Sequence, residues 1–264
     1  MNAEARDRVR GILFGLAAGD RIGGPVRMAL ELAESLIGCA AFDVRDIAGR
    51  YLSWWRMGGF DTGPTAARVF ESAATGLTYE KAAIQVHREC GEQTAGCNPA
   101  HRCAPIAMAA SIPDELVGMA AQEEAMLTHR HPLAGDVAAA VAALCRALIR
   151  GLPWAEAIAL ASGGRLPETQ QALAVSAEEG LSRGGHAPEV LRAAVFFLHH
   201  SYSFSAALER AVDFAGPSNY CPVLVGCIGG AKWGRSAIPD SVLPAHAGLL
   251  ERISNAAEVL EAGW

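Results

Sequence analysis

The sequence predicts an all-α protein folded as a single compact helical bundle over residues 1–264, on three observations. Apolar residues recur at spacings of three and four through most of the chain, the period of one helix face. Alternating runs rich in Val, Ile, Thr and Tyr, the mark of half-buried strands, are scarce. Ala and Gly together supply 52 and 28 of the 264 residues, a density of small side chains that suits closely approaching helices.

The elements follow in order. Val9, Leu13, Phe14 and Leu16 share one face and open the chain with a helix. Arg6, Arg8 and Arg10 before an apolar run resemble the start of a signal peptide. Glu4 and Asp7 interrupt that basic region, and Asp20-Arg21 closes the run without a cleavage site, so it is assigned to the first helix. Residues 28–37 form a second amphipathic run, with Glu31 and Glu34 on its polar side, and residues 62–74 a third. Thr78 is placed to cap a helix over 79–90. Helices are further expected over 106–119, 123–127, 133–150, 154–161, 168–181, 188–198, 205–214, 223–233 and 247–262. Pro113, Pro132, Pro153 and Pro188 fall in first turns, where a missing N–H costs little, and Gly151 and Gly180 fall where C-terminal caps belong. No Gly/Ser linker, charge block or 34- to 40-residue repeat divides the chain.

Composition excludes several functions. A net charge of −6 without a Lys/Arg run disfavours nucleic acid as a partner. The Ala-rich stretch around residues 137–148 is too short and too charged to span a bilayer, so no membrane partner is expected. The seven cysteines form no C-x-x-C pair and suit small buried side chains in a reducing, cytoplasmic setting. Cys97 and Cys103 flank His101, but no second ligand pair follows to complete a zinc site.

Five loops combine Gly or Pro with polar groups: 19–23, 58–65, 97–102, 127–132 and 216–222. Each alone is an ordinary turn, whereas five in a helical chain are expected to converge on one pocket. At this point the chain resembles the ADP-ribosylglycohydrolases. The resemblance is carried by Arg10 to Gly23, a helix ending in a Gly-rich turn, by Arg102-Cys103-Ala104-Pro105, and by Thr128-His129-Arg130-His131-Pro132-Leu133-Ala134. It continues through the loop Ala215 to Tyr220, then Gly226, Gly230-Ala231 and Trp233-Gly234. It implies an orthogonal all-α bundle of that family's type and a hydrolase cleaving a glycosidic bond to ADP-ribose or a related ribosylated small molecule.

The family holds two magnesium ions through two acidic segments. Here these align with Gly59-Phe60-Asp61-Thr62 and Pro217-Ser218-Asn219-Tyr220, where only Asp61 keeps a carboxylate. Hard cations want several oxygen ligands with negative charge, so the standard binuclear site is not expected. A single magnesium ion on Asp61, Thr62 and Asn219 is the remaining metal option. Asp61 and Asp20 are the candidate catalytic carboxyls; Asp61 sits between Phe60 and Gly63, where desolvation would raise its pKa and suit proton transfer. The alternative for Asp61 is a helix N-cap. Phe60, Thr62, Asn98, Arg102, His129, Ser218, Asn219 and Tyr220 are the candidate substrate-binding residues. Phe60 and Tyr220 offer surface for a planar group, and Arg102 offers a bidentate anion clamp. The alternative for Arg102 is a structural ion pair, and for His129 support of its own loop. Two further functions stay open: a metal-free enzyme on a different small molecule, and a non-catalytic binding or structural descendant.

Overall fold

A computed structural model describes residues 3–264, which form fifteen α-helices and four short 3-10 helices, with no strand among the described residues. The centre of the molecule is α9 (Pro132–Ile149), buried on nearly every side and apolar apart from Asp136 and Arg146. Ala134, Val137, Ala138, Val141, Leu144 and Cys145 are all shut off from solvent. Against it pack α6 (Asn98–Arg102), α7 (Ala104–Met108), α8 (Val117–Ala125), α10 (Trp154–Ser162), α12 (Ala187–His199) and α14 (Tyr220–Trp233). The Ala content is what lets so many helices reach one axis.

The closest approach joins α1 (Ala3–Gly19) to α14. They run antiparallel with glycines in register: Gly11 against Gly230, Gly15 against Gly226, and Gly19 against Pro222. A Cβ added at any of these three α1 glycines would strike backbone rather than a movable side chain. This crossing delivers the end of α1, Asp20, to the start of α14, Asn219.

The remaining elements surround that pair. α2 (Gly24–Cys39) follows the Asp20 turn, α3 (Val44–Arg56) starts at an Asp43 side-chain cap, and α4 (Gly63–Ala74) and α5 (Tyr79–Glu89) follow. Thr78 caps α5 as its sequence predicts, its Oγ1 accepting from Lys81 N. α11 (Pro167–Leu173), α13 (Phe204–Ala215) and α15 (Leu250–Glu261) complete the bundle.

Four boundaries differ from the sequence expectation. The run 106–119 is split: α7 ends at Met108, where Ala109 turns extended, and the chain resumes after Pro113 in a 3-10 turn at Asp114–Leu116 that leads into α8. The helix expected over 168–181 stops at Leu173, and residues after it run irregularly through Gly180 (φ +76°). Residues 44–56 form α3, which was not anticipated, since its apolar face is only Ile47, Tyr51 and Trp54. Residues 98–102, expected as loop, make one helical turn.

Candidate active site

Four of the five expected loops converge on one cleft, and the fifth, 19–23, does not line it. A cleft of about 290 Å³ is lined by Gly63, Pro64 and Thr65 from the first loop and Gly96, Cys97 and Asn98 from the second. His129 and Tyr220 close it from the third and fourth loops, with Gly185 and His186 completing the wall. Two backbone hydrogen bonds fasten the last wall in place: Cys97 N donates to Gly185 O (3.0 Å) and Ala187 N to Ala95 O (2.8 Å). The fit is close. A Cβ on Gly185 would come within 3.0 Å of the Tyr220 ring, and one on Gly63 would overlap the Asn98 side-chain oxygen. A larger cavity of about 530 Å³, lined by His131, Arg130, Asp136, Arg165 and Leu166 among others, shares His129 with the cleft.

Asp61 stands in the loop that enters the cleft at Gly63. Its backbone is left-handed (φ +54°), a conformation Asp and Asn tolerate better than most residues. The helix begins two residues later with Thr62 as an N-cap lacking a side-chain bond, so Asp61 is not the cap. Its one hydrogen bond is a long one, 3.4 Å from Gly24 N to Oδ2. Half-burial, reinforced by the nearby Asp20 charge, pushes its carboxyl up to about 6, against a small opposing effect of the Gly24 amide. The Asp61 charge in turn helps raise the Tyr220 phenol, after burial and the influence of Cys97.

Asp20 does a different job from the one its sequence suggests. It is 1% exposed, and both oxygens are occupied. Oδ1 accepts from Ile22 N (3.1 Å), Gly23 N (2.8 Å) and Asn219 Nδ2 (2.8 Å), and Oδ2 accepts from Val26 N (2.9 Å). Four donors use the lone pairs a carboxylate has, so Asp20 is a hub holding α1, α2 and α14 together rather than a catalytic acid. Asn219 is likewise committed, its Oδ1 accepting from Arg21 N (3.0 Å) while its Nδ2 serves Asp20.

Arg102 does not reach the cleft. Its side chain is 0% exposed, donating from Nε to Glu124 Oε1 (2.6 Å) and from Nη2 to Thr128 Oγ1 (2.8 Å), with the guanidinium over the Tyr51 ring. The ion-pair alternative is therefore the one this fold contains. Phe60 is exposed beneath the Arg27 guanidinium, 5.1 Å away, and Ser218 donates to Arg183 O (3.2 Å); neither lines the cleft. Thr62 is buried behind the Asp61 loop. Asn98, His129 and Tyr220 are the expected binding residues that the cleft brings together.

Sequence reasoning missed two buried groups beside it. His101 stacks on Tyr220 (6.3 Å between ring centres), and burial holds it near pKa 4, well below the ordinary histidine value. Glu124 balances Arg102 in the buried interior; beside Glu123 in the sequence, it carried no signal that set it apart from a solvated acid.

These features define an α-helical bundle whose loops build one polar cleft. Residues 26–263 match the ADP-ribosylglycohydrolase sequence profile, and the chain belongs to that family. It is similar to ADP-ribosylarginine hydrolase Tri1 of Serratia proteamaculans, 25% identical over 306 residues covering 98% of this chain and 80% of that protein. It is also similar to a solved structure described as an ADP-ribosylglycohydrolase-related protein complex, with a TM-score of 0.80 at 27% identity over 99% of both chains.

Proposed function

We propose that this chain hydrolyses a glycosidic bond to ribose in an ADP-ribosylated or otherwise ribosylated compound, with Asp61 moving the proton. One observation carries the reading: a half-buried carboxyl raised to about 6 sits two residues before Gly63, in a loop whose next residues wall a cleft assembled from five chain segments, Asp61 itself lying just outside the lining. A group titrating near neutrality can both take and return a proton. Water's oxygen bonds to the anomeric carbon and its proton passes to Asp61. The bond to the leaving group breaks with its electron pair on the leaving atom, which then receives that proton.

The residues present do not fit the family's pair of divalent cations. Of Asp61, Thr62 and Asn219, only Asp61 has carboxylate lone pairs free, because Asn219 is bonded on both amide atoms and Asp20 accepts four N–H groups. One free carboxylate offsets little of a +4 charge. The proton step therefore rests on the chain's own side chain.

The cleft volume is at the lower end of small-molecule sites, matching a ribosyl group with a small aglycone; the cavity sharing His129 offers room for the rest of a longer ligand. The test is turnover of ADP-ribosylarginine and of other ADP-ribosylated compounds with chelator present. Asp61→Asn should lower kcat/KM by about 10²-fold or more; unchanged turnover in that variant overturns the role of Asp61. The saturated Asp20–Asn219 hub also favours a second reading, a binding protein built on the same fold. Tight ADP-ribose binding without turnover of any ribosylated compound would select it.

A further inference from the structure

A buried chain of side chains ends at the cleft. Tyr51 donates its hydroxyl to Glu124 Oε1 (2.8 Å), and Arg102 Nε donates to the same oxygen (2.6 Å). Arg102 Nη2 donates to Thr128 Oγ1 (2.8 Å), which lies 2.9 Å from His129 Nδ1. Counting hydrogens, and the acceptors open to each, gives the direction of that last bond. A threonine hydroxyl has one hydrogen and two lone pairs, and Arg102 occupies one of the pairs. If His129 carried its proton on Nδ1, it would occupy the second pair. The hydroxyl hydrogen would then have no acceptor, since the other partner of Oγ1 is itself a donor and Thr128 is 1% exposed. Each neutral tautomer leaves one buried hydrogen without a protein acceptor, the hydroxyl's in one and the Nε2 hydrogen in the other, but His129 lines the cleft and Thr128 does not, so only the Nε2 hydrogen has a place where a ligand or water can accept it. The hydroxyl therefore donates to Nδ1. A doubly protonated ring is excluded on the same count, and burial with the Arg102 charge holds His129 down to about 3. A neutral ring accepting at Nδ1 carries its proton on Nε2.

We propose that Arg102 and Thr128 are positioning residues that lock His129 in its Nε2–H tautomer, so that the cleft presents a neutral N–H donor to an acceptor oxygen of the ligand. Nε2 is buried and has no partner within the protein. It stands beside Gly96, which shares the cleft wall, and a Cβ there would come within 3.0 Å of it. The tautomer half of this inference rests on the cleft admitting an acceptor, water or ligand, at Nε2; only the ligand half rests on the cleft being the binding site.

The experiment separates the two. In ¹⁵N-labelled full-length protein, the ring nitrogens of His129 are read by long-range ¹H–¹⁵N correlation, alongside calorimetric titration with ADP-ribose. The wild type is expected to show a protonated Nε2 and an unprotonated Nδ1. Thr128→Val is expected to move the proton partly or wholly to Nδ1 and to weaken ADP-ribose binding about tenfold, whereas Thr128→Ser restores both. A wild-type ring protonated on Nδ1, or a Thr128→Val ring that keeps Nε2–H, overturns the relay. Should Thr128→Val fail to fold, the wild-type spectrum alone decides the tautomer. With the tautomers as expected, failure of ADP-ribose to bind even the wild type overturns the ligand half and the cleft reading beneath it. Binding that Thr128→Val leaves unchanged overturns the ligand half alone.

Discussion

Gly226→Ala tests whether the α1–α14 crossing is set by the absence of side chains. The added methyl would overlap the Gly15 carbonyl oxygen, lie 2.9 Å from the carbonyl carbon, and come within 3.1 Å of Gly19 Cα. All three are backbone atoms, so no rotamer change relieves the contact. Restoring ordinary carbon contacts requires the helices to separate by roughly 1 Å. Overpacking of a tight core costs about 1–3 kcal/mol, and a backbone-to-backbone clash belongs at or beyond the top of that range. Against it stands the gain of about 1 kcal/mol from replacing Gly with Ala inside a helix. The net is a loss of about 2 kcal/mol or more, equivalent to a fall in Tm of roughly 4–8 °C for a chain of this size. Gly49 supplies the control. It is exposed within α3 and nothing lies within 4 Å of its Cβ position, so Gly49→Ala should raise Tm by a few degrees. Thermal melts followed by circular dichroism measure both. A Gly226→Ala protein that melts at or above the wild-type temperature refutes the reasoning, because only helix propensity would then be acting.

Three other outcomes follow from the site. The Asp61 carboxyl binds its proton more tightly folded than unfolded, so its charge weighs on stability above about pH 6 and has no effect below its unfolded value near 3.8. Asp61→Asn, which suits the left-handed backbone, should therefore stabilise by roughly 1 kcal/mol at pH 7.5, after discounting for half-exposure, and by nothing at pH 3.5; equal melts at both pH values would contradict this. Glu124→Gln leaves the buried Arg102 charge uncompensated and should cost about 3–5 kcal/mol in denaturant unfolding, with a loss under 1 kcal/mol contradicting the buried pair. His101 and His129 hold depressed values of about 4 and about 3, so the unfolded chain gains protons first. Tm should fall steadily from pH 6.5 toward pH 4, and a flat profile would count against their burial as neutral rings.

The helices were legible because their period is local, and the converging loops because Gly, Pro and Asn mark turns wherever they fall. What the chain hid was partnership across distance. Asp20 and Asp61 look alike in sequence, as carboxyls beside glycines at helix ends. One is saturated because the glycine crossing brings it to Asn219; the other keeps a free oxygen because its loop turns left-handed. Arg102 had equal claims as clamp or ion pair until Glu124, 22 positions away, arrived through the packing of α6 on α8. Phe60 was placed at the site by alignment to the neighbouring acid, yet Arg27 holds it at the surface. The breaks after Met108 and Leu173 lie where turn residues and packing outweigh an apolar period.

The glycine crossing also orders events in time. Helix α1 cannot seat on α14 until that later helix is made, because Asp20 meets Asn219 across 199 positions of chain. Until then α1 presents a bare stripe of backbone, and the amides at the start of α2 lack the second tie through Asn219. Closing so long a loop before its contacts repay the lost entropy is slow. The cleft is accordingly among the last features to become whole, and a chain truncated before residue 220 would carry the loops of the first half without the helix that brings them together.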